Sequence, residues 1–129
     1  METRESSILV VDDDEGVLRA VSRILARGGR RVAEATGPAA ALEMARATPF
    51  DLAIVDVRMP EMNGFEFAEA IRADRKMESM PIIALSSVVS AAAIERGRQA
   101  GFHDYVAKFD RPGLIAALKE QTADVKQAA

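Results

Sequence analysis

The 129-residue chain has no cysteine and no tryptophan, and its aromatic residues are five Phe and one Tyr. Without cysteine there is no disulfide framework, no thiolate metal site and no thiol nucleophile, which is consistent with a reducing compartment. A core must therefore come from Val, Ile, Leu and Ala. Long apolar runs are missing as well. Ile8–Val11 and Pro81–Leu85 fall far short of the ~20 residues a membrane helix needs. The first residues, Met-Glu-Thr-Arg-Glu-Ser-Ser, are polar and acidic, unlike a signal or transit peptide. Basic residues are scattered and the net charge is −3, which argues against a nucleic-acid surface. His103 is the only histidine. With no Cys and no ATP-binding motif beside it, it reads as a loop residue and neither a metal ligand nor a kinase phosphodonor. These absences lead us to expect a cytoplasmic protein with no nucleic-acid partner and no membrane insertion.

What is present is a regular alternation. Short apolar runs at Ile8–Val11, Arg31–Ala35, Leu52–Val55, Ile82–Leu85 and Tyr105–Ala107 are separated by amphipathic stretches. Three runs are continuously apolar, as in strands covered on both faces. The second carries Arg31 and Glu34 and suits an edge strand. Val17, Leu18, Val21, Ile24 and Leu25 follow helical spacing, and Gly28-Gly29 stops that helix. Gly37-Pro38 opens a second helix through Ala47, and Asn63 caps a third bearing Phe67, Ala70 and Ile71. Ser90 caps a fourth running to Gly101; Asp110 caps a fifth, with Pro112 in its first turn. Five βα units predict a single α/β domain with a parallel sheet and helices on both faces. Its bounds are 7–121, between a flexible arm over 1–6 and a tail over 122–129.

Parallel sheets bind ligands beyond the carboxyl ends of their strands, and those ends carry the chemistry here. Strand one ends in Asp12-Asp13-Asp14, strand three in Asp56 and strand four in Ser86-Ser87; Lys108 follows strand five. Carboxylates gathered at one rim repel one another. A hard divalent cation relieves that repulsion, and Lys108 supplies a positive charge able to pair with Asp56 and with a phosphoryl oxygen. With a metal bound, Asp56 can act as the nucleophile in phosphoryl transfer. The plainer readings are that a DDD triplet is a solvated turn, with Asp14 capping helix one, and that Ser86 is a strand-end serine bonded to backbone. Gly64, in the loop Met59-Pro60-Glu61-Met62-Asn63-Gly64, is expected to supply backbone freedom.

The segments ILVVDDD, DLAIVDVRMPEMNG, PIIALSS and DYVAK stand in an order and spacing that resemble bacterial response-regulator receiver domains, over roughly Ser7 to Gln121. The resemblance implies a flavodoxin-like (βα)5 fold of strand order 2-1-3-4-5 and a phosphorylation switch of a two-component system. It implies Mg²⁺ as cofactor, with Mn²⁺ as a substitute, held by Asp13, Asp56, the Arg58 carbonyl and, through water, Asp12. Asp56 is the implied phosphoacceptor, with Lys108 and Ser86 completing the catalytic set. Ser86 and Tyr105 are the implied switch pair that remodels the helix 4–strand 5–helix 5 surface, and Arg58 and Val88 fall at positions that tune phosphoryl lifetime. The implied partner is a sensor histidine kinase or a histidine phosphotransfer domain; the sequence names no downstream target. DYVAKFDRPGL is also similar to chemotaxis-type receivers. Such a domain catalyses only its own phosphorylation and dephosphorylation, and is not an enzyme with an external product.

The sequence departs from the family pattern in places. Ser86 stands where Thr is commoner, and Phe109 follows Lys108 where Pro is usual. A cis bond before a non-proline residue costs ~2.5–4 kcal/mol, which leaves the aim of Lys108 open. Val88 and Val89 are apolar where a polar loop is expected; they either pack on helix four or the neighbouring strand, or form part of a partner-binding surface. A degenerate receiver acting as a phosphate-independent binding module is the competing reading. A phosphatase fits poorly, since Arg58 occupies the region after Asp56 and there is no room for a cap. A flavodoxin fits poorly too, since Asp12-Asp13 is a poor phosphate cradle.

Overall fold

The computed structural model describes residues 6–59 and 62–121. Apart from Ser6, the expected arm and tail lie outside the described residues, as do Pro60 and Glu61 of the loop after Asp56. The strands are β1 (Ser7–Val11), β2 (Arg31–Ala35), β3 (Leu52–Asp56), β4 (Ile82–Ser86) and β5 (Asp104–Ala107). The helices are α1 (Glu15–Arg27), α2 (Pro38–Ala47), α3 (Gly64–Ala73), α4 (Ala91–Ala100) and α5 (Arg111–Gln121). All pairings are parallel and the order is β2-β1-β3-β4-β5, as the resemblance implies. The charged run Arg31–Ala35 is indeed at an edge.

Successive strand residues point to opposite faces, and two aliphatic cores result. Leu9, Val11, Ala53, Val55, Ile82 and Ala84 pack under α2, α3 and α4. Ile8, Val10, Leu52, Ile54, Ile83 and Leu85 pack under α1 and α5. β3 and β4 are buried throughout, which is why their sequences are unbroken apolar runs. Among the described residues no helix is long and apolar enough to cross a membrane.

The helix ends follow the capping residues. Asp14 accepts from the N–H groups of Gly16 and Val17, and Ser90 from that of Ala93. Asn63 and Glu66 form a reciprocal capping box. The Asp110 side chain accepts the Gly113 N–H at 3.0 Å. Arg72 on α3 donates to the carbonyl of Gly101 through Nε and Nη2, at 3.2 and 2.7 Å, tying α3 to the end of α4. His103 is a loop residue, as expected. Its Nδ1 lies 3.3 Å from the Ile82 N–H and 3.1 Å from Arg72 Nη2, so that nitrogen is the unprotonated acceptor. Burial and the Arg72 charge hold its pKa below the ordinary imidazole value.

Two backbone positions bear on the rim. Gly64 does not have a positive φ, so the expected role in backbone freedom is replaced by one of space. A Cβ there would lie 2.8 Å from both the Asp56 carbonyl oxygen and Val57 Cα. Glycine lets the start of α3 sit directly on the end of β3. There is no cis peptide among the described residues; after a trans bond, Phe109 takes φ 69° and leaves its ring 89% exposed. Left-handed backbone replaces the cis bond as the means of turning the chain after Lys108.

Gly64→Ala is expected to lose about 1–3 kcal/mol by overpacking, read as a lower urea midpoint with an unchanged slope. Phe109→Gly is expected to gain about 0.5–1 kcal/mol by removing the left-handed penalty; a loss in the same denaturation assay would contradict the strain.

Candidate functional site

Four strand ends build the rim. β1 delivers Asp12, whose N–H continues the ladder to the Ala35 carbonyl at 3.1 Å. β3 delivers Asp56, followed by Val57, whose N–H bonds the Leu85 carbonyl at 3.0 Å. β4 delivers Ser86, whose carbonyl accepts the Lys108 N–H at 2.9 Å. Main-chain bonds thus hold the turns after β1, β3 and β5 to the neighbouring strand, and the side chains leave from a rigid frame.

The residues expected to hold charge do converge. Carboxylate oxygens of Asp12, Asp13 and Asp56 lie within 4.8 Å of one another. Asp12 and Asp56 are buried, 0% and 2% exposed, while Asp13 faces solvent. Lys108 Nζ lies 3.2 Å from Asp56 Oδ1 and 3.4 Å from Asp12 Oδ2, so the trans turn at Phe109 aims the lysine at both acids. Asp56 Oδ1 also accepts the Arg58 N–H at 3.1 Å, and Asp12 Oδ1 accepts the Asp14 N–H at 2.9 Å.

One ammonium among three carboxylates leaves the balance negative. Burial, helped by the facing charge of Asp56, pushes the Asp12 carboxyl up from 3.8 to about 6, against the pull of the Asp14 N–H and Lys108. Partial burial acts to lower Lys108, but the charges of Asp12 and Asp56, with which it pairs, hold it above the ordinary lysine value. Asp12 Oδ2 is buried without a hydrogen-bond partner. That oxygen, paired only with the Lys108 ammonium at 3.4 Å and set beside two further carboxylates, belongs to a donor set that fits a hard cation. Asp14, by contrast, is the cap of α1, the plain reading of the third acid.

The remaining expected residues line a cleft that adjoins this cluster. Asp13, Arg58, Ser86, Val88 and Tyr105 all border its volume of ≈ 740 Å³. Ser86 is buried, and its Oγ accepts the Val88 N–H at 3.1 Å, so its hydroxyl here serves the backbone. Val88 and Val89 are each 44% exposed and Ile94 is 42% exposed, and Val88 borders the cleft together with Ala92 and Ala93 of α4. Some lining residues carry no sequence signal for the site. The Arg96 guanidinium lies 4.2 Å over the Phe65 ring, and Phe65, Phe102 and Tyr105 stack edge to face in series. Only the helical spacing of Ala92, Ala93 and Arg96 could have placed Arg96 on the cleft side of α4.

Residues 8–119 match the response regulator receiver domain family. Over 115 residues the chain is 32% identical to the chemotaxis protein CheY of Pseudomonas aeruginosa, covering 88% of this chain and 90% of that one. It is 35% identical over 111 residues to the sensor protein GacS of Pseudomonas syringae pv. syringae, covering 84% of this chain but spanning only 12% of the length of that relative. The solved structure of the chemotaxis protein CheY4 of Vibrio cholerae superposes with a TM-score of 0.86 at 31% identity, covering 91% of this chain and 98% of the other. The family match, the strand order and the acidic rim agree: this chain belongs to the response regulator receiver domains of two-component systems.

Proposed function

We propose that the domain is a phosphorylation switch that takes a phosphoryl group onto Asp56 from a phosphohistidine of a sensor histidine kinase or histidine phosphotransfer domain, in the cytoplasm. The carrying observation is the buried Asp56 held 3.2 Å from Lys108 inside a three-carboxylate cluster. Asp13, Asp56, the Arg58 carbonyl and, through water, Asp12 would hold Mg²⁺ or Mn²⁺, which when bound offsets the carboxylate charge and the charge on the transferred group.

The protein's own residues do the rest. Asp56 forms the new O–P bond as the donor's P–N bond breaks, and the imidazole keeps the electron pair and takes a proton. Lys108, already facing Asp56, is placed to pair with a phosphoryl oxygen. Ser86 exchanges its bond from the Val88 N–H for one to the phosphoryl group, and Tyr105 follows through the shared cleft. The surface of α4, β5 and α5 then changes. Arg58 and Val88, which line the same cleft, set how easily water reaches the phosphoryl group. The chemistry is self-modification with no released product other than phosphate. The exposed Val88, Val89 and Ile94 support a protein-binding surface beside the site. No observation favours the phosphate-independent alternative, since each residue type that the chemistry needs is present.

Intact mass after incubation with Mg²⁺ and acetyl phosphate tests the reading. A gain of about 80 Da in the parent and none in Asp56→Asn is expected; no gain, even with a phosphorylated kinase, transfers the case to the binding-module alternative. A second expectation concerns Asp12. Its folded pKa lies above the unfolded one, so its stabilising share is complete below pH 3.8 and lost as pH rises through about 6. In EDTA at neutral pH, Asp12→Asn should therefore be more stable than the parent by about 1–3 kcal/mol. The difference should fade towards about pH 4; chemical denaturation at several pH values measures it, and a pH-independent difference would count against the cause.

A further inference from the structure

α4 has a glycine, Gly97, in its interior and buried, where glycine is the poorest helix former apart from proline. Its φ is not positive, so backbone freedom does not account for it. What accounts for it is a ring. A Cβ at position 97 would lie 2.8 Å from Tyr105 Cδ2, 3.1 Å from Tyr105 Cε2 and 3.4 Å from Phe102 Cδ2. These nearest atoms are all side-chain atoms, so the space is taken by the Tyr105 ring and not by the main chain of β5. The ring is half-buried, with its edge-to-face contact on Phe102 at 6.5 Å. Among the described residues its hydroxyl has no hydrogen-bond partner, so shape alone holds it.

The ring also divides two clefts. The inner one, ≈ 740 Å³, contains Ser86 and Val88 with an apolar floor of Val57, Met59 and Phe65. The outer one, ≈ 270 Å³, is bordered by Ile94, Arg98, His103 and Asp104.

We infer that Gly97 is a positioning residue for Tyr105: its missing side chain forms the socket that holds the ring in its resting place on α4, and filling the socket sends the ring into the cleft beside Ser86. The switching consequence rests on the proposed role of Tyr105; the socket itself does not. A methyl group cannot share the space with ring atoms at 2.8 Å. The cheapest relief is rotation of the tyrosine side chain, since moving α4 would disturb the packing of Ala100 and Phe102 in the core. Of the two clefts the inner is larger and floored by apolar residues, so it is where a displaced ring loses least contact. Gly97 thus trades helix propensity for a stable resting position of the switch.

Tyr105 is the only tyrosine and tryptophan is absent, so intrinsic fluorescence reports this ring alone. Without any phosphodonor, Gly97→Ala should show weaker acrylamide quenching than the parent; equal or stronger quenching overturns the inference. A double-mutant cycle gives an independent reading. Gly97→Ala should raise the melting temperature in a Tyr105→Ala background, where the socket is vacant, and raise it less or lower it in the parent. Equal shifts in both backgrounds mean that the ring does not fill the socket. With Mg²⁺ and acetyl phosphate, quenching in the parent should fall towards the Gly97→Ala value, and Gly97→Ala should change little. An equal fall in both contradicts the link to switching, while a missing mass gain in both contradicts phosphorylation itself and leaves the two phosphate-free tests standing.

Discussion

Three carboxylates share one rim with a single ammonium, and the rest of the molecule is arranged around that imbalance. Two of the acids are buried, where each charge costs most and each neighbour counts most. Lys108 reaches both buried acids, yet Asp12 is still pushed up to about 6, and its Oδ2 accepts no hydrogen bond. A domain selected only for stability would replace one of these acids. On the proposed function, their crowding is the cost of a site able to receive a cation and a phosphoryl group together, the usual conflict between function and stability.

The parallel sheet makes the cluster rigid. β3 lies at the centre of the sheet, between β1 and β4, and every residue of it is buried, so Asp56 leaves from a strand packed on both faces along its whole length. Gly64 then seats the start of α3 against that same end. The residues proposed to switch lie to one side, in the β4–α4 turn and on β5. Ser86 is held by one backbone N–H, and Tyr105 is held by shape. If Asp56 is phosphorylated as proposed, this division lets a local change there reach the α4 surface while the sheet stays still.

Much of this is legible in the sequence because two signals are local. Strands buried on both faces must be continuous apolar runs, as in Leu52–Val55 and Ile82–Leu85. Helix ends are written in single residues such as Asp14, Asn63, Ser90 and Gly101. A parallel sheet then forces strand ends to one side, so the βα alternation alone gathers Asp12, Asp13, Asp56 and Lys108 at one rim. What is not legible depends on distances between elements. Gly64 suggests backbone freedom in the sequence but provides space in the fold, a matter of how closely α3 approaches β3. The turn after Lys108 is settled by a left-handed phenylalanine, against the ordinary preference of that residue. The exposure of Val88 and Val89, and the service of the Ser86 hydroxyl to its own loop, depend on packing that spacing does not encode.

The most direct measurement of the central claim is thermal unfolding with and without Mg²⁺, at matched ionic strength, for the parent and for Asp13→Asn. If carboxylate crowding is what a divalent cation relieves, Mg²⁺ raises the parent's melting temperature at about pH 8 and does so far less at about pH 4.5, where Asp12 is protonated. Asp13→Asn should lose most of the gain. A shift of equal size in both proteins, or the same shift with added NaCl, would contradict the account.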